Sequence, residues 1–199
     1  MQENENRGFE LEVCVDSVES GIAAEAGGAD RLELCGSLEI GGVTPSFGLF
    51  SELRKRVTLP LFVMLRPRFG DFCYSEEECL ALQAEAERFA AAGADGFVLG
   101  MLKPDGSLDR EHIAELMKHC GGRPVTLHRC FDLCKDPFEA LRVALFAVSL
   151  GGVETLVTHP STHTHTEFPE EEKVARGVTQ TLVRVAVGLE NIEDLIADF

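Results

Sequence analysis

Segments that would carry the chain into or across a membrane are missing. No run of 18 or more apolar residues occurs in the 199-residue sequence, which excludes a spanning helix. The opening stretch, Met1 to Gly8, lacks the basic-then-apolar pattern of a secretory signal, so the expected compartment is the cytoplasm. Basic residues are scarce as well. Eighteen Lys and Arg stand against 34 Asp and Glu, a formal net charge of −16, the wrong sign for gripping nucleic-acid phosphates. No Gly-x-Gly-x-x-Gly or Walker sequence opens a helix, which counts against an open nucleotide-binding sheet. No Cys-x-x-Cys pair occurs, which removes the usual structural zinc site. Tryptophan is absent too, yet 45% of the residues are hydrophobic, enough for a sizeable core in one globular domain.

Cysteine, by contrast, is plentiful. There are seven, all between Cys14 and Cys134. An odd number in a reducing compartment argues against a disulfide framework. The 65 residues after Cys134 contain none, the first sign that the two parts of the chain differ.

A strand–helix rhythm runs through the first part. Strands are expected at Glu10–Val15, Arg31–Cys35, Leu61–Leu65, Gly96–Leu99 and Val125–Arg129. Helices are expected between them: over Ser17–Ala26, from Thr44-Pro45 with the threonine as cap, from Ser75 with Glu78 completing a capping box, and from Asp109 to near Cys120. Asp136-Pro137-Phe138-Glu139 reads as one more helix start. Gly28-Ala29-Asp30 and Gly93-Ala94-Asp95 both sit between a helix end and a strand. Repeated strand–helix units without hairpin signals imply a parallel α/β sheet, and their spacing suits a barrel.

Barrel sites form where strands end and loops begin. Glu12 and Cys14 share one face of strand one, with Asp16 following. Glu33 and Cys35 share one face of strand two. Strand three leads into Arg66-Pro67-Arg68, and strand five into His128-Arg129, then Cys130, Asp132 and Cys134. Three readings stay open. Two neighbouring thiolates suit Cu(I), a soft ion content with few ligands. Alternatively, Arg66, Arg68 and Arg129 hold a small anionic substrate while Glu12, Glu33, His128 or Asp132 move protons. Or the residues are structural, the cysteines as small core residues and Glu12 and Glu33 paired with Arg66 or Arg129. Cys73, Cys79 and Cys120 read as inert. His159, His163 and His165 make a His-rich polar loop of a kind that can bind metals.

These residues resemble the CutC copper-homeostasis family. The resemblance rests on Glu12-Val13-Cys14-Val15-Asp16-Ser17, Gly27-Gly28-Ala29-Asp30-Arg31-Leu32-Glu33-Leu34-Cys35, Gly41-Gly42-Val43-Thr44-Pro45-Ser46, Met64-Leu65-Arg66-Pro67-Arg68, Gly93-Ala94-Asp95-Gly96 and Thr126-Leu127-His128-Arg129-Cys130-Phe131-Asp132. It implies a TIM-type (β/α) barrel, a role in copper handling, Cu(I) (Cu+) bound through the cysteines matching Cys14 and Cys35, and pairing into homodimers. It attaches no catalytic reaction.

That match covers residues 1–144. The tail, 145–199, resembles the C-terminal end of PLP-dependent cystathionine lyases and synthases, through Ser149 to Leu156 and Leu182 to Glu190. In that family the arginine matching Arg184 holds the substrate carboxylate, but the domain with the PLP-bearing lysine is not in this sequence, so no PLP is expected. The chain reads as a hybrid whose barrel is incomplete or atypically closed at its C-terminal end, and an inactive product is a further reading. Val153–Thr158 and Leu182–Val187 are the expected sixth and seventh strands, and Asn191–Phe199 an expected helix.

Overall fold

The computed structural model describes residues 11–140 and two short strands beyond them. Strands β1 (Glu12–Val15), β2 (Arg31–Leu34), β3 (Leu61–Leu65), β4 (Gly96–Leu99) and β5 (Val125–Leu127) form one parallel sheet, ordered β1-β2-β3-β4-β5. Between them run helices α1 (Val18–Ala26), α2 (Phe47–Arg54), α3 (Glu76–Ala91) and α4 (Arg110–His119). Each strand lies beside its predecessor in the chain. A doubly wound sheet reverses its order at a switch point, and an arc of a barrel does not.

The two-residue period of the strands sorts side chains between two environments. Val15, Leu32, Leu34, Leu61, Val63, Leu65, Phe97, Leu99 and Val125 face the helices in the main core. Between α2 and α3, Phe50 meets Phe89 edge-on with centroids 5.2 Å apart, and Phe47 lies 5.8 Å from Phe89. The opposite face, the barrel lumen, holds a small separate cluster of Cys35, Phe62, Met64 and Val98.

The Gly-Ala-Asp echo proves to be one device used twice. Gly28 and Gly93 take left-handed backbone, with φ of 88° and 92°. The alanine N–H then bonds back into the helix, Ala29 to Ala24 and Ala94 to Phe89, which closes the helix C-terminus. The aspartate carboxylate accepts the backbone N–H at the foot of a neighbouring strand, Asp30 from Leu11 at 2.7 Å and Asp95 from Leu61 at 2.8 Å.

Helix starts follow the capping chemistry. The Ser75–Glu78 box and the Asp109 cap are both formed, and Asp136 accepts from the N–H groups of Phe138 and Glu139. Helix α2 differs. Its cap is Ser46, not Thr44, because the Thr44 hydroxyl is engaged with the Arg66 backbone, donating to its carbonyl and accepting from its N–H. Strand β5 stops at Leu127, and Arg129–Leu133 turn into a 3-10 helix instead of extending the strand.

The two tail strands, β6 (Leu156–Thr158) and β7 (Arg184–Ala186), fall within the expected segments but do not extend the parallel sheet. They pair with each other, antiparallel, as a two-stranded sheet. Among the described residues, β1 and β5 are therefore the two edges of the arc. The His159–His165 loop and the Asn191–Phe199 helix lie outside the described residues. No helix among the described residues is long and apolar enough to cross a membrane.

Two tests follow from this packing. Phe50→Ala empties a fully buried aromatic site and should lower unfolding free energy by about 3–5 kcal/mol in a urea titration. On the surface, the imidazole of His112 contacts the Asp109 carboxylate and, from its other nitrogen, Glu76. These contacts, Asp109 foremost, raise its pKa above the usual 6.5. The stabilisation they give is complete below pH 6.5 and is lost as pH rises through the raised value. Urea titrations from about pH 5.5 to about pH 8.5 should show His112→Gln flattening that part of the profile.

Candidate functional site

Lumen side chains lie in layers set by strand register. At the foot, Glu12 is opposite Arg31. In the next layer Cys14 is opposite Glu33, Glu33 opposite Phe62 and Phe62 opposite Gly96. Above that lie Cys35, Met64, Val98 and Thr126, with Met64 opposite Val98 and Val98 opposite Thr126. Two residues further along β3, β4 and β5 come Arg66, Gly100 and His128, at the loop end where barrel sites sit.

Cys14 and Cys35 share this face on adjacent strands, one layer apart. Cys14 is exposed, whereas Cys35 is 1% exposed. The Cys35 thiol donates to the Glu33 carboxylate at 3.4 Å. Burial first, then the negative charge of Glu33 and that of an ionised Cys14, push this thiol well above the ordinary range. Glu33 links the two positions: it lies directly opposite Cys14 and accepts from the Cys35 thiol. Met64 belongs to the same buried lumen cluster as Cys35, and the sequence reading missed it as a candidate. Its signal was parity, since Met64 is two residues before Arg66 on a strand whose even-numbered positions face the lumen. Gly42 covers the pair: a Cβ there would lie 3.1 Å from the Cys35 sulfur and 3.6 Å from the Met64 methyl.

Among the described residues, no group of three or more His, Cys, Asp and Glu is arranged to hold a metal ion. The donors at hand are soft, two thiols and a thioether. They fit a low-coordinate soft cation such as Cu(I) and do not make a tetrahedral zinc site.

At the loop end, Arg66 is 3% exposed. Its guanidinium donates to the carbonyls of Gly41, Gly42 and Gly70 and lies over the Phe72 ring, 4.6 Å from the centroid. Phe72 in turn contacts the buried His128 ring, centroids 5.0 Å apart. Arg129 reaches the same loop: a Cβ on Gly41 would meet Arg129 Nη1 at 2.7 Å and Arg66 Nη1 at 3.5 Å.

Other candidate residues are placed elsewhere. Glu12 begins β1 at the foot of the lumen and pairs with Arg31, not with Arg66 or Arg129, because register sets it directly opposite Arg31. Arg31 also lies over the Phe62 ring at 4.3 Å. Arg68 turns away to the start of α3, where Glu78, Asp71 and the Cys73 carbonyl take its donors. Asp132 is exposed on the 3-10 helix after β5. Asp16, just after β1, accepts from the Leu38 N–H at 3.4 Å. Of the other thiols, Cys79 and Cys120 are buried, and burial lifts Cys120 to about 12 and half-buried Cys134 to about 11.

A singly wound parallel sheet with helices outside and sulfur, carboxylate and guanidinium groups inside defines the class: an α/β protein of the TIM-barrel type, its arc left open by the described strands. The chain belongs to the CutC family, whose sequence profile matches residues 9–197. That match continues past residue 144, where the two sequence resemblances meet, whereas the pairwise matches that follow cover about two thirds of the chain. The chain is 50% identical over 138 residues to the copper homeostasis protein cutC homolog of Homo sapiens, covering 69% of this chain and 50% of that protein. It is 48% identical over 134 residues to the family protein CutC of Bacteroides thetaiotaomicron, covering 67% of this chain and 54% of the relative. The crystal structure of a CutC protein from Streptococcus agalactiae aligns with a TM-score of 0.65 at 28% identity, over 69% of this chain and 68% of that one. The chain thus spans about half the length of the curated relatives it matches.

The geometry separates the two thiols kinetically. Under native conditions iodoacetamide should modify Cys14 well before Cys35, read by peptide mass spectrometry, because Cys35 is buried and held protonated. Equal rates would mean that the lumen opens to solvent at the level of Cys35.

Proposed function

We propose that this protein takes part in copper homeostasis by binding Cu(I) as cargo at Cys14 and Cys35, with the Met64 thioether as a third soft neighbour. The observation that carries the reading is the placement of two thiols on one lumen face of adjacent strands, one exposed and one buried. The exposed Cys14 is the natural point of capture and transfer. The buried Cys35, clustered with Met64 and Phe62, offers the dry surroundings that favour a soft, weakly hydrated ion. The thiol of Cys35 must lose its proton to become a ligand, and the Glu33 carboxylate bonded to it is placed to accept that proton. Names of the relatives support the copper assignment: the human and mouse proteins are both called copper homeostasis proteins. Both thiols lie in the 1–144 portion, so the reading does not depend on the resemblance given to residues 145–199. No PLP chemistry is part of it.

An anaerobic Cu(I) titration against a colorimetric chelator tests the assignment. The chain should take up about one ion, and Cys14→Ser/Cys35→Ser should lose it. Met64→Leu, a near-isosteric change, should weaken binding without abolishing it. Uptake identical in wild type and the double serine variant would remove copper from this site.

A further inference from the structure

Two buried arginines face this lumen, and the fold treats them differently. Arg31 is neutralised by Glu12. Arg66 is equally buried, yet its guanidinium donates to three neutral backbone carbonyls, and among the described residues no carboxylate pairs with it. A buried cation normally requires an opposite charge. Three hydrogen bonds also leave part of the guanidinium's five-donor capacity unused: Nε is buried and has no hydrogen-bond partner. The Tyr74 hydroxyl is buried beside it, and a hydrogen bond from Arg66 partly offsets the rise in pKa that burial imposes on the phenol. A second guanidinium, that of half-buried Arg129, approaches Arg66 across Gly41.

We propose that the loop end of β3 is a binding site for a small oxyanion, a phosphate or carboxylate group. Arg66 supplies a fixed donor, and Arg129 closes over the ligand from the partly exposed side. The Gly41–Gly42 turn makes the room. Both glycines have left-handed backbone, φ 85° and 78°, and a side chain at Gly41 would occupy the space between the two guanidinium groups. The three carbonyls that grip Arg66 fix its orientation, so little side-chain entropy is left to lose when an anion arrives. Arg68, the third arginine of the sequence motif, takes no part, because Glu78 and Asp71 already satisfy it. This site is distinct from the Cys14–Cys35 pair and does not require copper.

Calorimetric titration of the full chain with inorganic phosphate, and separately with acetate, tests the proposal. Saturable binding of either anion is expected, and whichever binds more tightly identifies the ligand group. Arg129→Gln should weaken it by about tenfold or more, the effect of losing one charge-assisted hydrogen bond. Arg129 is only half-buried, so this variant tests the site without disturbing the core, whereas Arg66→Lys also alters the carbonyl clamp. Cys14→Ser/Cys35→Ser should bind the anion like wild type, which keeps the outcome separate from that of the copper reading. Absence of saturable binding by wild type, or binding unchanged in Arg129→Gln, would overturn the proposal.

Discussion

Parallel pairing of five strands in chain order imposes one constraint on all that follows: successive residues must point to opposite sides of the sheet. On one side the helices supply a dense apolar layer, and Val, Leu and Phe alternate into it. On the other side, among the described residues, no helix covers the strands, and the lumen side chains pack against and bond to one another. This second face collects the chemistry: Glu12, Cys14, Arg31, Glu33, Cys35, Met64, Arg66 and His128. A shift of one residue in any register would exchange the two sets, burying carboxylates under helices and presenting leucines to the lumen. The apolar packing outside therefore fixes the polar arrangement inside.

Much of this was legible in the sequence because it is local. The apolar run Leu61–Leu65 and the segment Gly96–Leu99 are strands with the expected bounds. The Ser75 box and the Asp109 cap begin helices as their spacing predicts. What could not be read depends on partners far away in the chain. Thr44 looks like a cap until the Arg66 backbone claims its hydroxyl, 22 residues on. Glu12 looks available until register sets Arg31 against it, 19 residues away. Arg66 and Arg68 look equivalent in sequence, yet one turns into the lumen and the other to the foot of α3. Met64 gives no signal of its own within the apolar run Leu61–Leu65, because thioether and leucine fill similar space; only its place in the lumen cluster with Cys35 gives it a second meaning. The tail strands were legible as strands, but their antiparallel partnership was not, since β-propensity says nothing about direction.

The lumen also shows how one fold handles buried charge in two ways. At its foot, Glu12 and Arg31 form a closed ion pair with Phe62 against the guanidinium, an arrangement that resists change because loss of either partner strands the other. At its mouth, Arg66 is held by carbonyl dipoles and an aromatic face, which orient the cation without cancelling its charge. The first solution belongs to structure. The second keeps a field directed at whatever enters the loop end.

The twice-used Gly-Ala-Asp corner has a consequence for growth of the sheet. Each aspartate lies just before a strand and ties down the foot of the strand already laid beside it, Asp30 holding the segment at Leu11 and Asp95 that at Leu61. Anchoring in these two units thus runs backwards along the chain. The foot of β1 depends on the residue that precedes β2, and the foot of β3 on the one that precedes β4. A strand foot in this sheet is therefore not self-sufficient: cutting away the unit that follows it would leave a backbone N–H of β3, or the one leading into β1, without its carboxylate.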